Sequence, residues 1–231
     1  MAINEIRTEL KKLGNKERAQ ASQRYFKTGP GEYGEGDIFL GIKVPDLRKL
    51  AKAYQDIPLP DVRQLLKSSV HEERLFSLFV LVQAYAKGNE SVKRRIYKLY
   101  LKHTRFVNNW DLVDTSAGHI VGHFLVNRSK EPLYGLAQSP VLWERRIAIM
   151  ATSYFVNRHE FAETLKISKM LLSDAEDLIH KAVGWMLREV GKRDLQTEEG
   201  FLKRYYKKMP RTMLRYAIRE NMKICKTEED K

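Results

Sequence analysis

The sequence predicts an all-α protein, a solenoid of paired helices, and three observations carry that prediction. From residue 45 onward, apolar side chains recur at helical spacing between short connections, with no alternating run that would mark a strand. Five segments can be laid over one another: Ser69-Val70-His71-Glu72-Glu73-Arg74, Asn109-Trp110-Asp111-Leu112-Val113-Asp114, Leu142-Trp143-Glu144-Arg145-Arg146, Asp177-Leu178-Ile179-His180-Lys181 and Arg211-Thr212-Met213-Leu214-Arg215. With Arg74, Asp114, Arg146, Lys181 and Arg215 as equivalent markers, the separations are 40, 32, 35 and 34 residues, the period of a paired-helix repeat. Two and three residues past each marker the side chains are small or apolar: Phe76 and Ser77, Ser116 and Ala117, Ala148 and Ile149, Val183 and Gly184, Ala217 and Ile218. Such positions suit a face where one repeat stacks closely on the next.

The elements follow in order. Residues 3 to 27 form two short helices, with Ile6, Leu10 and Leu13 on one face of the first and Tyr25 and Phe26 ending the second. Residues 29 to 41 carry Gly29, Gly31, Gly34, Gly36 and Gly41 plus Pro30, too much backbone freedom for a regular element. Gly29-Pro30-Gly31-Glu32-Tyr33-Gly34 matches the letters of a dinucleotide fingerprint, but no strand precedes it and its charges are acidic where phosphates would sit. It is a loop, placed to present Tyr25, Phe39 or Lys43 to a ligand. Pro45 suits the first turn of a helix over 45 to 55. Between the marked helices lie partner helices such as Val92 to His103, His159 to Leu172 and Phe201 to Lys208, and Trp143 is expected in the core.

With 231 residues, 43% of them hydrophobic, the chain can bury a sizeable core. We expect one domain over 1–231: N-terminal helices and the glycine-rich loop to 44, repeats over 45–223, and a tail over 224–231. Lys and Arg number 42 against 29 Asp and Glu, a net charge of +13 with a pI near 9.7. That balance points to a polyanion, nucleic acid first and an anionic membrane surface second. A single cysteine, Cys225, excludes an internal disulfide and fits a reducing cytoplasm. The N-terminus lacks the apolar core of a signal peptide, and no run of about 18 apolar residues could span a bilayer.

The register adds what composition cannot. Four of the five markers are basic and one, Asp114, is acidic. Positions four residues from a marker share its helical face; they hold Trp110 beside Asp114, Trp185 beside Lys181, and Arg211 and Arg219 beside Arg215, while Gly118 leaves space beside Asp114. In a stacked solenoid these helices line a concave wall, here a row of cations around one carboxylate and two indoles. A groove that only bound phosphate would gain nothing from an acid at its centre. The carboxylate therefore suggests a local cationic species to stabilise.

Trp-Asp-x-Val-Asp at 110 to 114, Trp-x-x-Arg at 143 to 146 and Lys181-Ala182-Val183-Gly184-Trp185-Met186-Leu187-Arg188-Glu189 resemble the bacterial DNA alkylation repair glycosylases of the AlkD family. The resemblance runs from Tyr25 and Gly41-Ile42-Lys43-Val44-Pro45 to the last helices. It implies a right-handed superhelix of HEAT-like repeats with a concave basic groove, and hydrolysis of the N-glycosidic bond of cationic N3- or N7-alkylated purines in duplex DNA. By correspondence Asp114 is the catalytic carboxylate, Trp110 and Trp185 are aromatic walls, and Arg146 is the basic partner. Asn109 stands where some members carry a second aromatic, and Val44 where a polar residue is expected.

The chemistry agrees with the register. A base alkylated at N3 or N7 already carries positive charge and leaves without being protonated, so the enzyme need only stabilise an oxocarbenium-like sugar and orient water. Neither step needs a cofactor. Tyr25, Lys43, Arg145, Lys181, Arg188, Arg211, Arg215 and Arg219 are the candidate DNA contacts. His119 and His123 stand four apart, but Ile120 replaces the glutamate of a metalloprotease motif and no third ligand is near, so no metal site is assigned. No lysine falls beside Asp114, which predicts a monofunctional enzyme that leaves the abasic site uncut. The protein is expected to be a monomer in the cytoplasm, associated with the nucleoid. A non-catalytic helical-repeat module that binds DNA of unusual structure is the alternative.

Overall fold

A computed structural model describes residues 2–218; Arg219, Cys225 and the acidic end lie outside the described residues. The chain gathers into two compact units, the first ending at Phe124 and the second beginning at Leu125. Among the described residues there is no strand, only an isolated parallel bridge between Ile38 and Val70. No described helix is long and apolar enough to cross a membrane.

In the first unit, α1 (Ala2–Leu13) buries Ile6 and Leu10, one turn apart, as their spacing predicts. Asn15 caps α2 (Lys16–Tyr25) by accepting the Arg18 N–H at 2.9 Å. The glycine-rich stretch folds back over α2. At Gly41 (φ +77°) a Cβ would stand 2.3 Å from the Asn15 carbonyl oxygen, so only glycine permits that approach. Helices α3 (Val44–Ala53) and α4 (Leu59–Leu66) both begin with proline in the first turn. They lean on α5 (His71–Lys87), which is buried on every side from His71 to Leu81 and forms the unit's axis. Each fully buried Leu, Val or Phe there contributes about 1.5–3 kcal/mol. Helix α6 (Glu90–Lys102), capped by Asn89, is the partner helix expected from Val92. The next marked helix is broken: α7 (Trp110–Asp114) lasts five residues, a π turn covers Gly118–Gly122, and α8 (His123–Leu125) follows.

The second unit holds α9 (Glu131–Ala137), α10 (Leu142–Ala151), α11 (Ser153–Val156), α12 (Ala162–Met170), α13 (Asp177–Gly191), α14 (Leu195–Tyr205) and α15 (Arg211–Ala217). Trp143 is in its core. Helix α12 starts later than the sequence suggests because His159 takes a left-handed conformation (φ +61°) that closes the preceding turn. Helix α14 starts earlier, because Asp194 caps it through the Thr197 N–H at 3.1 Å and hydroxyl at 2.6 Å. The small-residue face does what its composition predicts. A Cβ on Gly184 would lie 2.4 Å from the Met213 carbonyl oxygen and 2.5 Å from the Tyr216 Cβ, so α13 and α15 touch backbone to backbone.

Candidate functional site

Five residues of helix cannot hold themselves in place, so α7 is placed by what surrounds it. Asn109, fully buried, ends the preceding segment and its Oδ1 accepts the Trp110 N–H at 2.8 Å. The Trp110 indole is half-buried and stacks on Phe26 (centroids 5.2 Å apart, planes at 15°). Phe26 stacks in turn on Phe39, and Phe39 on the His71 imidazole, at 5.0 and 4.5 Å. Tyr25, 67% exposed, meets the indole edge-on at 5.9 Å and is the solvent-facing end of this ladder. Phe39 is not presented to a ligand as expected: it is buried between Phe26 and His71.

Asp114 ends the same helix and is half-buried. Beneath it Tyr100, fully buried, shares a 2.9 Å hydrogen bond with Ser116. Burial pushes the Tyr100 hydroxyl far above its usual pKa; the Ser116 bond opposes this, and the negative charge of Asp114 adds to it. The carboxylate thus sits within electrostatic reach of a buried hydroxyl, in a setting where charge counts for more than in water. Gly118, expected to leave space beside Asp114, opens the π turn, a backbone irregularity frequent at functional sites.

The charges that brace α7 come from the first turn of α5, where four consecutive ionisable side chains are buried and engaged. The His71 Nε2–H donates to Asp111 at 2.7 Å and its Nδ1–H to Asp37 at 3.1 Å. Glu72 accepts the backbone N–H groups of Leu40, Gly41 and Ile42 at 2.9, 2.7 and 3.3 Å. Glu73 takes the Arg7 guanidinium through both oxygens, each at 3.1 Å. Arg74 donates to Asp37 at 2.6 Å and to the Ser68 carbonyl at 2.9 Å. Burial favours the neutral form of both members of the His71–Asp37 pair. It is outweighed: Asp111 and Asp37 hold the imidazole above its ordinary pKa, and His71 and Arg74 hold Asp37 below the usual carboxylate range. Arg74 is consequently not one of a row of groove cations, as the repeat register suggested. It is an internal ion-pair partner.

In the second unit, Trp185 is half-buried in the middle of α13 and its Nε1–H donates to Glu189 at 3.3 Å. Glu189 is gripped by Lys192 and by Arg193 at 3.1 Å. Arg146 is buried, with one terminal nitrogen donating to the Leu178 carbonyl at 2.5 Å. Arg145 corrects an expectation: its Nε and one terminal nitrogen grip Asp174 at 2.6 and 3.2 Å, and the other donates to the Ser139 and Pro140 carbonyls. The fork that would take a phosphate is filled by the scaffold. Lys181 pairs with Asp177 at 2.7 Å, Arg188 is half-buried with its Nε unpartnered, and Arg211 and Arg215 are exposed on α15. In the first unit Lys43 is exposed at the start of α3. Arg219 lies outside the described residues. Of the two histidines weighed as a metal pair, His123 Nδ1 meets the Tyr85 hydroxyl at 2.9 Å, and His119 is exposed.

Sequence reasoning picked out Trp110 and Asp114 as candidates but not the residues that place them. His71, Asp37 and Asp111 are brought together only by folding. The visible signal was the run of four ionisable residues opening an otherwise apolar helix.

Solved structures share the fold: a predicted DNA alkylation repair enzyme from Enterococcus faecalis (18% identity, covering 91% of this chain and 97% of that one, TM-score 0.68), smu.31 from Streptococcus mutans UA159 (18%, 94% and 96%, TM-score 0.53) and AlkD2 from Streptococcus mutans (17%, 84% and 94%, TM-score 0.53). No curated protein matches the chain. The model of the DNA alkylation repair enzyme family matches residues 6–220. With nearly its whole length matched, the chain belongs to the DNA alkylation repair enzyme family.

Proposed function

We propose that the protein is a monofunctional DNA glycosylase that releases cationic N3- or N7-alkylated purines from duplex DNA, with Asp114 as the catalytic carboxylate. One observation carries the reading: a five-residue helix presents a half-buried indole and a half-buried carboxylate one turn apart, with the exposed Tyr25 ring at the indole's edge, in a protein of net charge +13. Phosphate binding accounts for the cations but not for that acid.

In the reaction the bond between C1′ and the base nitrogen breaks with its electron pair moving to the base, which leaves neutral because it began as a cation. The ionised Asp114 stabilises the oxocarbenium-like sugar and accepts the proton of the water that attacks C1′. The products are a free base and an abasic sugar. Trp110 and Tyr25 offer aromatic surface to the cationic nucleoside, each contact contributing about 1 kcal/mol or more once desolvated. In the second unit Trp185 offers surface of the same kind. Arg146, buried and donating to the Leu178 carbonyl, is given no phosphate, and Lys181, Arg188, Arg211 and Arg215 join Lys43 as backbone contacts.

The test compares base release from duplex DNA containing 7-methylguanine with release from the same duplex containing uracil, a neutral base. The wild-type protein is expected to release only the former, and Asp114→Asn to lose at least ~100-fold in rate while binding DNA as tightly or more so. Equal release of both bases, or full activity in Asp114→Asn, would reject the mechanism. Binding without release by the wild-type protein would make it a non-catalytic DNA-binding module.

A further inference from the structure

We infer that His71 is a positioning residue for this site, fixing α7, and with it Trp110 and Asp114, through its hydrogen bond to Asp111. The inference deepens the glycosylase reading and rests on it for its kinetic consequences, although the bracing itself can be tested without any reaction.

Helix α7 is shorter than two turns, and the segment from its end to the π turn is irregular. A displacement there is resisted by few hydrogen bonds of its own. His71 engages α7 by two routes. Its Nε2–H reaches Asp111 at 2.7 Å, and its ring begins the stack that passes through Phe39 and Phe26 to the Trp110 indole. The imidazole is itself fixed on every side. Its Nδ1–H is held by Asp37, which Arg74 holds in turn, and its backbone N–H donates to the Ile38 carbonyl at 2.8 Å. Only 1% of His71 is exposed, and Asp37 and Arg74 are buried with it, so the imidazole cannot itself touch DNA; only Asp111, its side chain 15% exposed, reaches toward the surface. Asp111 adds a second link, because its Oδ1 accepts the Leu112 N–H at 2.9 Å and so ties the carboxylate to the helix it braces. Transmission from a buried imidazole to a catalytic carboxylate three residues beyond Asp111 needs only that the short helix move as a body.

The prediction is a loss confined to the chemical step. Misplacing a reacting group by about 1 Å can lower a rate ~100-fold, whereas affinity for undamaged duplex DNA depends on cations elsewhere on the surface. The experiment measures single-turnover release of 7-methylguanine, and affinity for undamaged duplex DNA, for His71→Ala, Asp111→Ala, the double variant and Asp111→Asn, each checked for folding by circular dichroism. Each alanine variant is expected to lose at least ~10-fold in rate with affinity within about twofold, and the double variant to be no slower than the slower single one, as for two ends of one bond. Asp111→Asn, which keeps an acceptor for the His71 Nε2–H, is expected to recover most of the rate.

Rates that multiply in the double variant, or no loss in Asp111→Ala, would overturn the inference. If His71→Ala fails to fold, the two Asp111 variants decide the matter, because they leave His71, Asp37 and Arg74 in place. If the wild-type protein releases no base, the functional reading fails and the bracing is read from Trp110 fluorescence in a Trp143→Phe, Trp185→Phe background. There Asp111→Ala is expected to increase acrylamide quenching and Asp111→Asn to leave it near the parent value. Unchanged quenching in Asp111→Ala would then overturn the inference by itself.

Discussion

The two indoles singled out by the repeat register are held by opposite means. Trp110 begins a helix of five residues, and apart from the Asn109 cap what fixes it comes from other parts of the chain: the stack on Phe26 and through it Phe39, the His71–Asp111 bond, and a loop pinned by Glu72. Trp185 lies in the middle of a helix of 15 residues, whose own hydrogen bonds and close packing on α15 hold its backbone. The first indole depends on tertiary charge, the second on helix length and small residues. The helix that also carries the candidate catalytic acid is thus the one whose position can be disturbed from a distance.

The largest expected effect comes from breaking the first device. Glu72→Ala removes the acceptor of three backbone N–H groups in a nearly closed site, leaving them to the desolvation penalty of unmade hydrogen bonds. A loss of about 3–4 kcal/mol in unfolding free energy is expected, measured by urea denaturation and accompanied by faster amide exchange over residues 38–42. A loss below about 1 kcal/mol would show that the loop does not need its carboxylate. Breaking the second device costs less. Gly184→Ala gains about 1 kcal/mol in helix propensity, yet its Cβ meets backbone on α15 that cannot swing aside as a side chain would. A net loss of about 2 kcal/mol is expected, with exchange rising in α13 and α15 and unchanged in α5.

These devices were unequally legible in the sequence. The helices, the close approach at Gly184, the burial of Trp143 and the pairing of Trp110 with Asp114 follow from spacing within one element, where separation along the chain equals separation in space. The braces do not. Asp37, His71 and Asp111 lie far apart in sequence and meet only because the glycine-rich loop packs against the first turn of α5. The marker position told Arg74 apart from its neighbours by register, but register cannot say whether a cation faces a groove or a buried carboxylate. Arg145 escaped for the same reason, since Asp174 arrives from a turn 29 residues away.

Changing pH sharpens the contrast with a smaller effect. His71 has a raised folded pKa, so its contribution to stability is complete below its unfolded value near 6.5 and is lost as pH rises through the folded value. Asp37 has a lowered one, and its contribution is present above about 3.8 and lost as pH falls through the folded value. The groups facing His71 are Asp37 from the loop, Asp111 from α7 and Arg74 from α5. His119 acts in the opposite sense, its partial burial and Arg48 disfavouring the charged form, but above pH 7 it is neutral in either state. In the second unit Asp177 and Glu189 are both lowered, so their contributions disappear only on the acid side. Between pH 7 and pH 9, stability is therefore expected to fall around α5 and α7 and to hold around α13, read by hydrogen exchange corrected for the intrinsic rate. A uniform response would mean that the imidazole is not the group being titrated.

The smallest effect is expected where the two indoles look most alike. Glu189 accepts the Trp185 Nε1–H as a local partner, much as Asp111 serves the helix of Trp110. Burial would raise its pKa, but Lys192, Arg193 and Trp185 hold it below the ordinary 4.5, so the ion pairs are intact above that value and lost as pH falls through the folded one. Glu189→Gln keeps an oxygen for the indole and removes only the charge that holds Lys192 and Arg193, a partly exposed set of pairs contributing about 0.2–1 kcal/mol. Trp185 should keep its place, because the backbone that carries it is fixed by eight preceding residues of helix and by the contact at Gly184. In single-tryptophan variants, quenching of Trp185 in Glu189→Gln is expected to stay within a few per cent of the parent, as is usual for surface changes, while Trp110 responds to Asp111→Ala. A shift of Trp185 as large as that of Trp110 would mean that helix length confers no protection, and that both indoles rely on their carboxylates alike.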